Sequence, residues 1–566
     1  MSPNAEYQYV GLLASQIRIL ELDPAQNLDD ELILSLHKYS RSNSAPVIWP
    51  SRSNPRNSYE AISYAWGDDT REERVTVRQS YSSDPDRDLY LRTTVVTMLR
   101  HLRNKFTTRR LWIDTVCIDQ KNASEKADQV TRMGETYRDA RRTLVWLGPD
   151  LRCDGSQKSP RSFFHDLFHL ESRSPDGAVI ATGHSLISTW PVVQKFLELP
   201  WFQRRWVIQE VVLSQNVSMV LGNDVMCFDC IMDSIKHAPI GALTISDAAR
   251  YAFQVLLAMH RLRAGGPRER FLNLLVEMDA AQCSDDRDRL YALNSLRKAP
   301  MWVDYTATPD QVFRWFAIAT INEDPELLAC GGAAQAGPLP SWTPNWRVPR
   351  TPQPLFYLGV PAYRTRDDVR GVLAIDGEVL LVRGTVIGVI ASKGPVFGQA
   401  WSTQPWQCLQ QYLSFYTQNP NSKQTNRETE KYDFLLQLLS ARKFKSAQRL
   451  HPWIKSDVKQ ASDNSIEPHS YDLDTYSILT GIYNVMRGRC CFLTDKNDWA
   501  VGSADLLPGD SIVTIAECQY PFILRQSLSD ASGNLLWTLI GDCCITMSKD
   551  VERLARVGPL QYFNIA

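Results

Sequence analysis

Between Tyr59 and Gly148 short apolar runs alternate with amphipathic ones, and this alternation constrains the fold more than any other feature of the chain. "YEAISYAWGDDT" (Tyr59 to Thr70) reads as a short buried strand closed by a Gly–Asp–Asp turn. "RVTVR" (Arg74 to Arg78) alternates, as a second strand or a hairpin arm would. "TTVVTMLRHLR" puts Val95, Val96, Leu99 and Leu102 at helical spacing, and "RRLWIDTVCI" is a further strand. Asn122, with Glu125 three residues on, has the pattern of a capping box. Val130, Met133, Tyr137 and Ala140 then share one helical face before the strand "TLVWLG". Strands and helices in this order are the grammar of a parallel α/β sheet.

A chain of 566 residues exceeds one hydrophobic core. Residues 1–57 read as an N-terminal extension and 58–222 as the α/β domain, with a polar Ser/Pro-rich insertion at about 151–188. "RRWVIQEVVLSQNVSMVLG" resumes that domain with a helix and a strand. Residues 223–330 read as helical and 331–350 as a linker. In 351–566, runs such as "VLLVRGTVIGVIAS" and "DSIVTIAECQYPFILRQ" predict a β-rich module. Its segments Gln418–Lys431 and Ser456–Ser470 are polar enough for loops. No internal repeat is visible.

Several function classes lose support early. Sixty-two Lys+Arg against 63 Asp+Glu leave a net charge of −1, so no basic field points to nucleic acid. The apolar stretch from Gly241 to His260 is interrupted by Asp247 and Arg250, so no membrane span is expected. The start lacks the basic, apolar and small-residue pattern of a signal peptide, and the 12 cysteines are scattered, which together predict a cytoplasmic protein. "CFDC" (Cys227 to Cys230) has CxxC spacing without a second pair, and "HDLFH" (His165 to His169) lacks the Glu of the metalloprotease pattern; no metal site is expected from either. Phosphate-loop and dinucleotide fingerprints are absent from the sequence.

In an open parallel sheet, ligands bind beyond the carboxyl ends of the strands. That rule selects Tyr64, Trp66, Asp68 and Asp69 after the first strand, and Asp114 and Asp119 after "RRLWI". The two aspartates have a second reading as caps of the loop and the next helix. Cys117, between Val116 and Ile118, reads as a small buried hydrophobe rather than a nucleophile. Glu210 follows Trp206 by four residues on an apolar helix, a setting that tunes acid–base groups; pairing with Arg204 or Arg205 is the alternative.

Taken jointly, "YEAISYAWGDDT", "LWIDTVCIDQKNASEKADQVTRMGETYRDARRTLVWLGPD" and "RRWVIQEVVLSQ" resemble the three blocks of the fungal heterokaryon incompatibility (HET) domain. "CSDDRDRLYAL", "LPSWTPNW" and "RCCFLTD…LLPGDSIVTIAECQYPFILR…LIGDCC" resemble downstream parts of large HET proteins. The blocks are also similar to TIR domains: Ser63–Tyr64 to the end of a TIR strand, and Trp206-x-x-x-Glu210 to the TIR Trp-x-x-x-Glu pattern. This chain departs in having Val207–Ile208–Gln209 where TIR sites carry a Cys or Ser, and in the long stretch between its second and third blocks.

The resemblance implies a flavodoxin-like, TIR-like α/β domain in an effector of self/non-self recognition that ends in growth arrest or cell death. It implies Glu210 as the catalytic carboxylate for cleaving the nicotinamide–ribose bond of NAD, with Ser63, Tyr64, Trp66, Asp68, Asp114, Asp119 and Trp206 around the substrate. NAD would be a substrate, and no cofactor or metal is called for. Protein partners encoded at an incompatibility locus, and self-association, are also implied. A non-enzymatic signalling module built from the same blocks is the competing class.

Overall fold

A central strand whose five residues are all buried organises the first half of the chain. The computed structural model describes residues 5–41, 58–67, 70–79, 85–149, 172–173, 179–180, 193–235, 246–265, 270–347, 350–358, 360, 369–397, 415, 485–527, 529, 533–545 and 549–566. These fall into two compact units, Met1–Ala307 and Thr308–Ala566. The 151–188 insertion (apart from four residues), the two polar loops of the C-terminal module, "HDLFH", Asp68 and Asp69 lie outside the described residues.

The first unit holds a nine-stranded sheet. Its strands are β1 (Gln16–Leu22), β2 (Ile33–Ser40), β3 (Glu60–Tyr64), β4 (Glu72–Val77), β5 (Arg87–Arg92), β6 (Arg109–Trp112), β7 (Arg142–Trp146), β8 (Val217–Leu221) and β9 (Asp224–Cys227). Spatially they run β9-β8-β7-β3-β6-β1-β2-β4-β5. The four strands β6, β3, β7 and β8 are mutually parallel, as the sequence pattern predicts. Taken in chain order they lie 2-1-3-4, the flavodoxin-like arrangement, and the order reverses between β3 and β7.

The flanks are antiparallel, so the sheet is mixed. β1 pairs antiparallel with β6 and with β2, while β9 returns on β8 and β5 on β4. The segment read as an N-terminal extension thus contributes two sheet strands. Its alternation is weak because β1 is buried along most of its length, "QIRILEL" with only its first and sixth residues part-exposed.

Helices α1 (Thr93–Leu102), α2 (Asp114–Cys117), α3 (Ala123–Thr131), α4 (Met133–Asp139) and α5 (Val207–Val212) flank the sheet strands in sequence. The predicted apolar faces are the buried ones: Val95, Val96, Leu99 and Leu102 on α1, and Val130, Met133, Tyr137 and Ala140 across α3 and α4. The capping box forms only by half. Asn122 Oδ1 accepts the Glu125 N–H at 3.1 Å, but the Glu125 carboxylate turns inward to Arg18, 2.9 Å away, and to the Asp119 N–H at 2.8 Å. A buried guanidinium outcompetes the Asn122 backbone for that carboxylate. After β9, the described residues up to 307 hold the helices α6 (Phe228–Ile235), α7 (Asp247–Arg263), α8 (Phe271–Glu277) and the short α9 (Asp288–Tyr291).

The second unit is β-rich after helix α10 (Pro309–Ile321), which begins in a complete Thr308/Gln311 capping box. Six of its strands close on themselves through antiparallel pairs, in the order Val379–Val396, Arg489–Thr494, Trp499–Ser503, Leu536–Ile545, Phe522–Gln526, Ser511–Ile515 and back to the first. Closure removes the exposed edges of these strands. Beneath residues 353–355, the buried Arg489 and Asp542 pair at 2.7 Å, with Arg489 also donating to the Gln353 carbonyl and Asp542 accepting the Leu355 N–H. Residues 331–350, linker-like in composition, include the wholly buried Trp342 and Trp346.

Glu60 fixes the register of the parallel strands. Its buried carboxylate accepts from Arg109 Nε of β6 at 2.5 Å, Arg142 Nε of β7 at 2.6 Å and Arg141 Nη2 at 2.9 Å. The arginines hold it at about 2 despite burial that acts the other way. Glu60→Gln is expected to cost about 2–3 kcal/mol near pH 7, the loss of a buried pair discounted for half-exposed arginines. Because the folded-state value is depressed, the contribution is complete above about pH 4.5 and is lost as the pH falls towards 2. Urea unfolding of the full chain at pH 7 and pH 3 checks this: the gap between parent and variant shrinks at the lower pH.

Candidate functional site

At the carboxyl ends of β3 and β6, beside the reversal of strand order, polar groups converge that have few other reasons to be buried together. Ser63 and Tyr64 end β3, Asp114 and Thr115 begin α2 after β6, and Glu210 lies on α5. Ser63 and Glu210 are 1% and 2% exposed. The Ser63 hydroxyl donates to the Glu210 carboxyl in a short hydrogen bond, and accepts the Trp201 indole N–H at 2.8 Å. Trp201 comes from "LPWF", a single helical turn (Pro200–Gln203).

Burial pushes the Glu210 carboxyl up to about 7. The Arg204 charge and the Ser63 hydrogen bond act downward, while the Asp114 charge adds to the rise. Desolvation wins. Arg204 itself donates to the Tyr64 carbonyl, so Glu210 is not its hydrogen-bond target. Arg205 is wholly buried and donates to the backbone carbonyls of Arg289 (2.7 Å) and Met278. The pairing alternative therefore survives only as a through-space charge from Arg204.

Around this pair the remaining residues divide. The Tyr64 hydroxyl shares a short hydrogen bond with Thr115, and burial with the nearby Asp114 carboxylate drives it well above the ordinary phenol range. Trp66 is half-buried; its N–H donates to Asp114 Oδ2 at 3.3 Å, and the guanidinium carbons of Arg92 and Arg204 lie 5.7 and 6.0 Å from its ring centre. Ser63, Tyr64, Trp66, Asp114 and Glu210 are thus one connected cluster.

Two sequence-selected residues lie in other contacts. Asp119 accepts the Lys121 N–H at 3.1 Å, the loop-capping role. The Trp206 indole donates to Asp288 Oδ2 at 3.0 Å, and Asp288 also accepts from Tyr305 at 2.7 Å. Burial raises Asp288 to about 6, against those two hydrogen bonds. Cys117 is buried and its thiol is pushed up to about 12 by desolvation, which leaves no thiolate for chemistry near neutral pH.

Sequence reasoning did not select Trp201, Thr115, Tyr137 or Asp288. Tyr137 was visible only as one member of an apolar face, though its hydroxyl donates to the Ile62 carbonyl at 3.1 Å. Asp288 sits in "CSDDRDRLYAL", whose density of acids beside aromatics was its one signal. Among the described residues no group of His, Cys, Asp and Glu is arranged to hold a metal ion. With Tyr64 and Glu210 each 2% exposed, the cluster is closed to solvent on the Glu210 side, and Trp66, Asp114, Thr115 and Arg204 form its half-buried face.

Residues 59–210 match the family model described as "Heterokaryon incompatibility protein (HET)". The chain is 27% identical over 461 residues to "Heterokaryon incompatibility protein 6, OR allele" of Neurospora crassa, an alignment covering 67% of this chain and 65% of that protein. It thus spans just under two thirds of that relative's length. No solved structure matches the chain. No described helix is long and apolar enough to cross a membrane.

A buried carboxyl raised to about 7 binds its proton more tightly folded than unfolded, so it lowers stability as the pH rises from about 4.5 through 7. Glu210→Gln, which keeps the shape and removes the titration, is expected to gain on the parent across that window by up to ~3 kcal/mol. Thermal melts at pH 5 and pH 8 read this directly. Parallel pH profiles for parent and variant would mean that Glu210 is ionised throughout.

Proposed function

We propose that this chain, whose residues 59–210 are a HET domain, acts in heterokaryon incompatibility as an effector of growth arrest, with Glu210 as the carboxylate that supports cleavage of NAD at the nicotinamide–ribose bond. The observation that carries the enzymatic part is the Glu210 carboxyl, raised to about 7 and held by Ser63 at the strand end where the sheet order reverses. The similarity of Ser63–Tyr64 and Trp206-x-x-x-Glu210 to TIR enzymes supports the same assignment, as does the incompatibility relative.

The chemistry asks little more of the protein. Nicotinamide departs as a neutral amine, so no strong acid is required. The oxocarbenium-like transition state is stabilised by a nearby negative charge, and near pH 7 a carboxyl of this kind is ionised in a substantial fraction of molecules. Trp66 supplies a flat half-buried face, and Arg92 and Arg204 supply positive charge beside it for phosphates. Reaching Glu210 requires the Trp201–Ser63 cover to move. Opening is therefore part of the proposal.

The 2% exposure of Glu210 favours a second reading, in which the cluster is a structural keystone of a signalling module that acts through protein partners or self-association. Expression of the full chain in fungal cells separates the two. In the enzymatic case cellular NAD falls as growth stops, and Glu210→Gln cuts nicotinamide release by at least about 100-fold without lowering stability near pH 7. Growth arrest with unchanged NAD, retained in the Gln variant, would leave the signalling module as the function.

A further inference from the structure

At the opposite edge of the sheet, where the parallel strands begin, a cysteine pair stands apart from the site just described. Cys227 ends β9 and Cys230 lies in the first turn of α6, and the two form a disulfide with Cα atoms 5.3 Å apart. The bond encloses only two intervening residues, so it restrains little of the unfolded chain. Cys227 is exposed, and its sulfur accepts the Cys230 backbone N–H at 3.1 Å. It occupies the cap position of an eight-residue helix.

The pair also borders a cavity of about 490 Å³, large enough for a small peptide-sized molecule. Arg141, Arg142, Asn216 and Asp229 line it with Cys227. Arg141 is 62% exposed while donating through one nitrogen to Glu60, which leaves other donors free to face the cavity. Cys227 is moreover register partner to Ser218, the second residue of β8, so the sheet holds the sulfur at the cavity wall.

We propose that Cys227–Cys230 is a thiol–disulfide exchange site whose co-reactant is a small anionic thiol of the glutathione class. A thiolate of that molecule attacks the exposed Cys227 sulfur, and a bond forms between them. The Cys227–Cys230 bond breaks, and its electron pair leaves on the Cys230 sulfur, which takes a proton from water. A second thiolate then attacks the small molecule's own sulfur in the mixed disulfide. This releases the small-molecule disulfide and leaves Cys227 as a thiolate stabilised by the Cys230 N–H and the helix N-terminus. Two thiols are oxidised to one disulfide as the protein disulfide is reduced to two thiols. Arg141 and Arg142 would attract the carboxylates of the incoming thiol. The proposal is independent of any reaction at Glu210.

The full-length protein, equilibrated in reduced/oxidised glutathione mixtures and alkylated, gives the reduced fraction of the pair by mass spectrometry. The pair is expected to titrate across the ratios that glutathione can set. Cys230→Ser should accumulate glutathione on Cys227 at least about tenfold faster than Cys227→Ser accumulates it on Cys230. Arg141→Gln should slow the reaction with glutathione but leave that with neutral 2-mercaptoethanol unchanged. A pair that stays fully oxidised or fully reduced at every ratio, or equal rates in the two Ser variants, overturns the proposal. Equal slowing of both thiols by Arg141→Gln removes the anion-binding role.

Discussion

The first unit depends on β3 being buried from end to end between two parallel neighbours. A strand in that position cannot use solvent to satisfy a charge, yet it begins with Glu60. The cost of burying that carboxylate is offset by three guanidinium groups that come from, or adjoin, the two flanking strands. A slip of either neighbour by one residue would turn Arg109 or Arg142 to the other face and leave the charge unpaired. The ion cluster therefore acts on register more than on net stability. Register in turn decides which residues emerge at the carboxyl end, three positions along the same strand.

There the logic is inverted. Glu210, as deeply buried as Glu60, meets a hydroxyl and an indole-backed network rather than arginines in contact, and its proton affinity rises where that of Glu60 falls. Two carboxyls at opposite ends of one strand are driven apart by their partners alone, since burial pushes both upward. A raised, hydrogen-bonded carboxyl at the reversal point of a parallel sheet lies where such folds place their ligand sites. Its closure by Ser63 and Trp201 is the feature that any catalytic account has to open.

Much of this was legible in the residues because the parallel strands and their helices carry distinct periods, and the buried faces of α1, α3 and α4 fall at the spacings the sequence shows. The placement of Ser63, Tyr64, Trp66, Asp114 and Glu210 in one cluster followed from the strand-end rule joined to the family resemblance. Contacts between residues far apart in sequence were not legible. Nothing in "QIRILEL" announces that Arg18 will reach Glu125, and nothing in "LPWF" that Trp201 will cover Ser63. Barrel closure in the second unit was hidden for the same reason, as alternation specifies strands but not which of them meet.

The stretch from Leu111 to Val130 illustrates how a polar loop can serve structure and site at once. Of its crowded acids and amides, Asp119 caps the turn, Gln120 donates to the Asp114 carbonyl at 3.0 Å, and Glu125 is taken by Arg18 and by the N–H groups of Leu12 and Asp119. Arg18 also donates to the carbonyls of Cys117 and Val10 at 2.7 and 2.8 Å, and lies 4.8 Å from the Tyr9 ring centre. One buried ion pair thus binds β1, the segment before it, and the loop after β6 into a single block. Only Asp114 and Thr115 remain to face the cluster around Tyr64. Their precision rests on the surrounding groups being spent on backbone, because a loop whose polar groups were left to water could not hold two side chains within hydrogen-bonding distance of a buried tyrosine and a half-buried tryptophan.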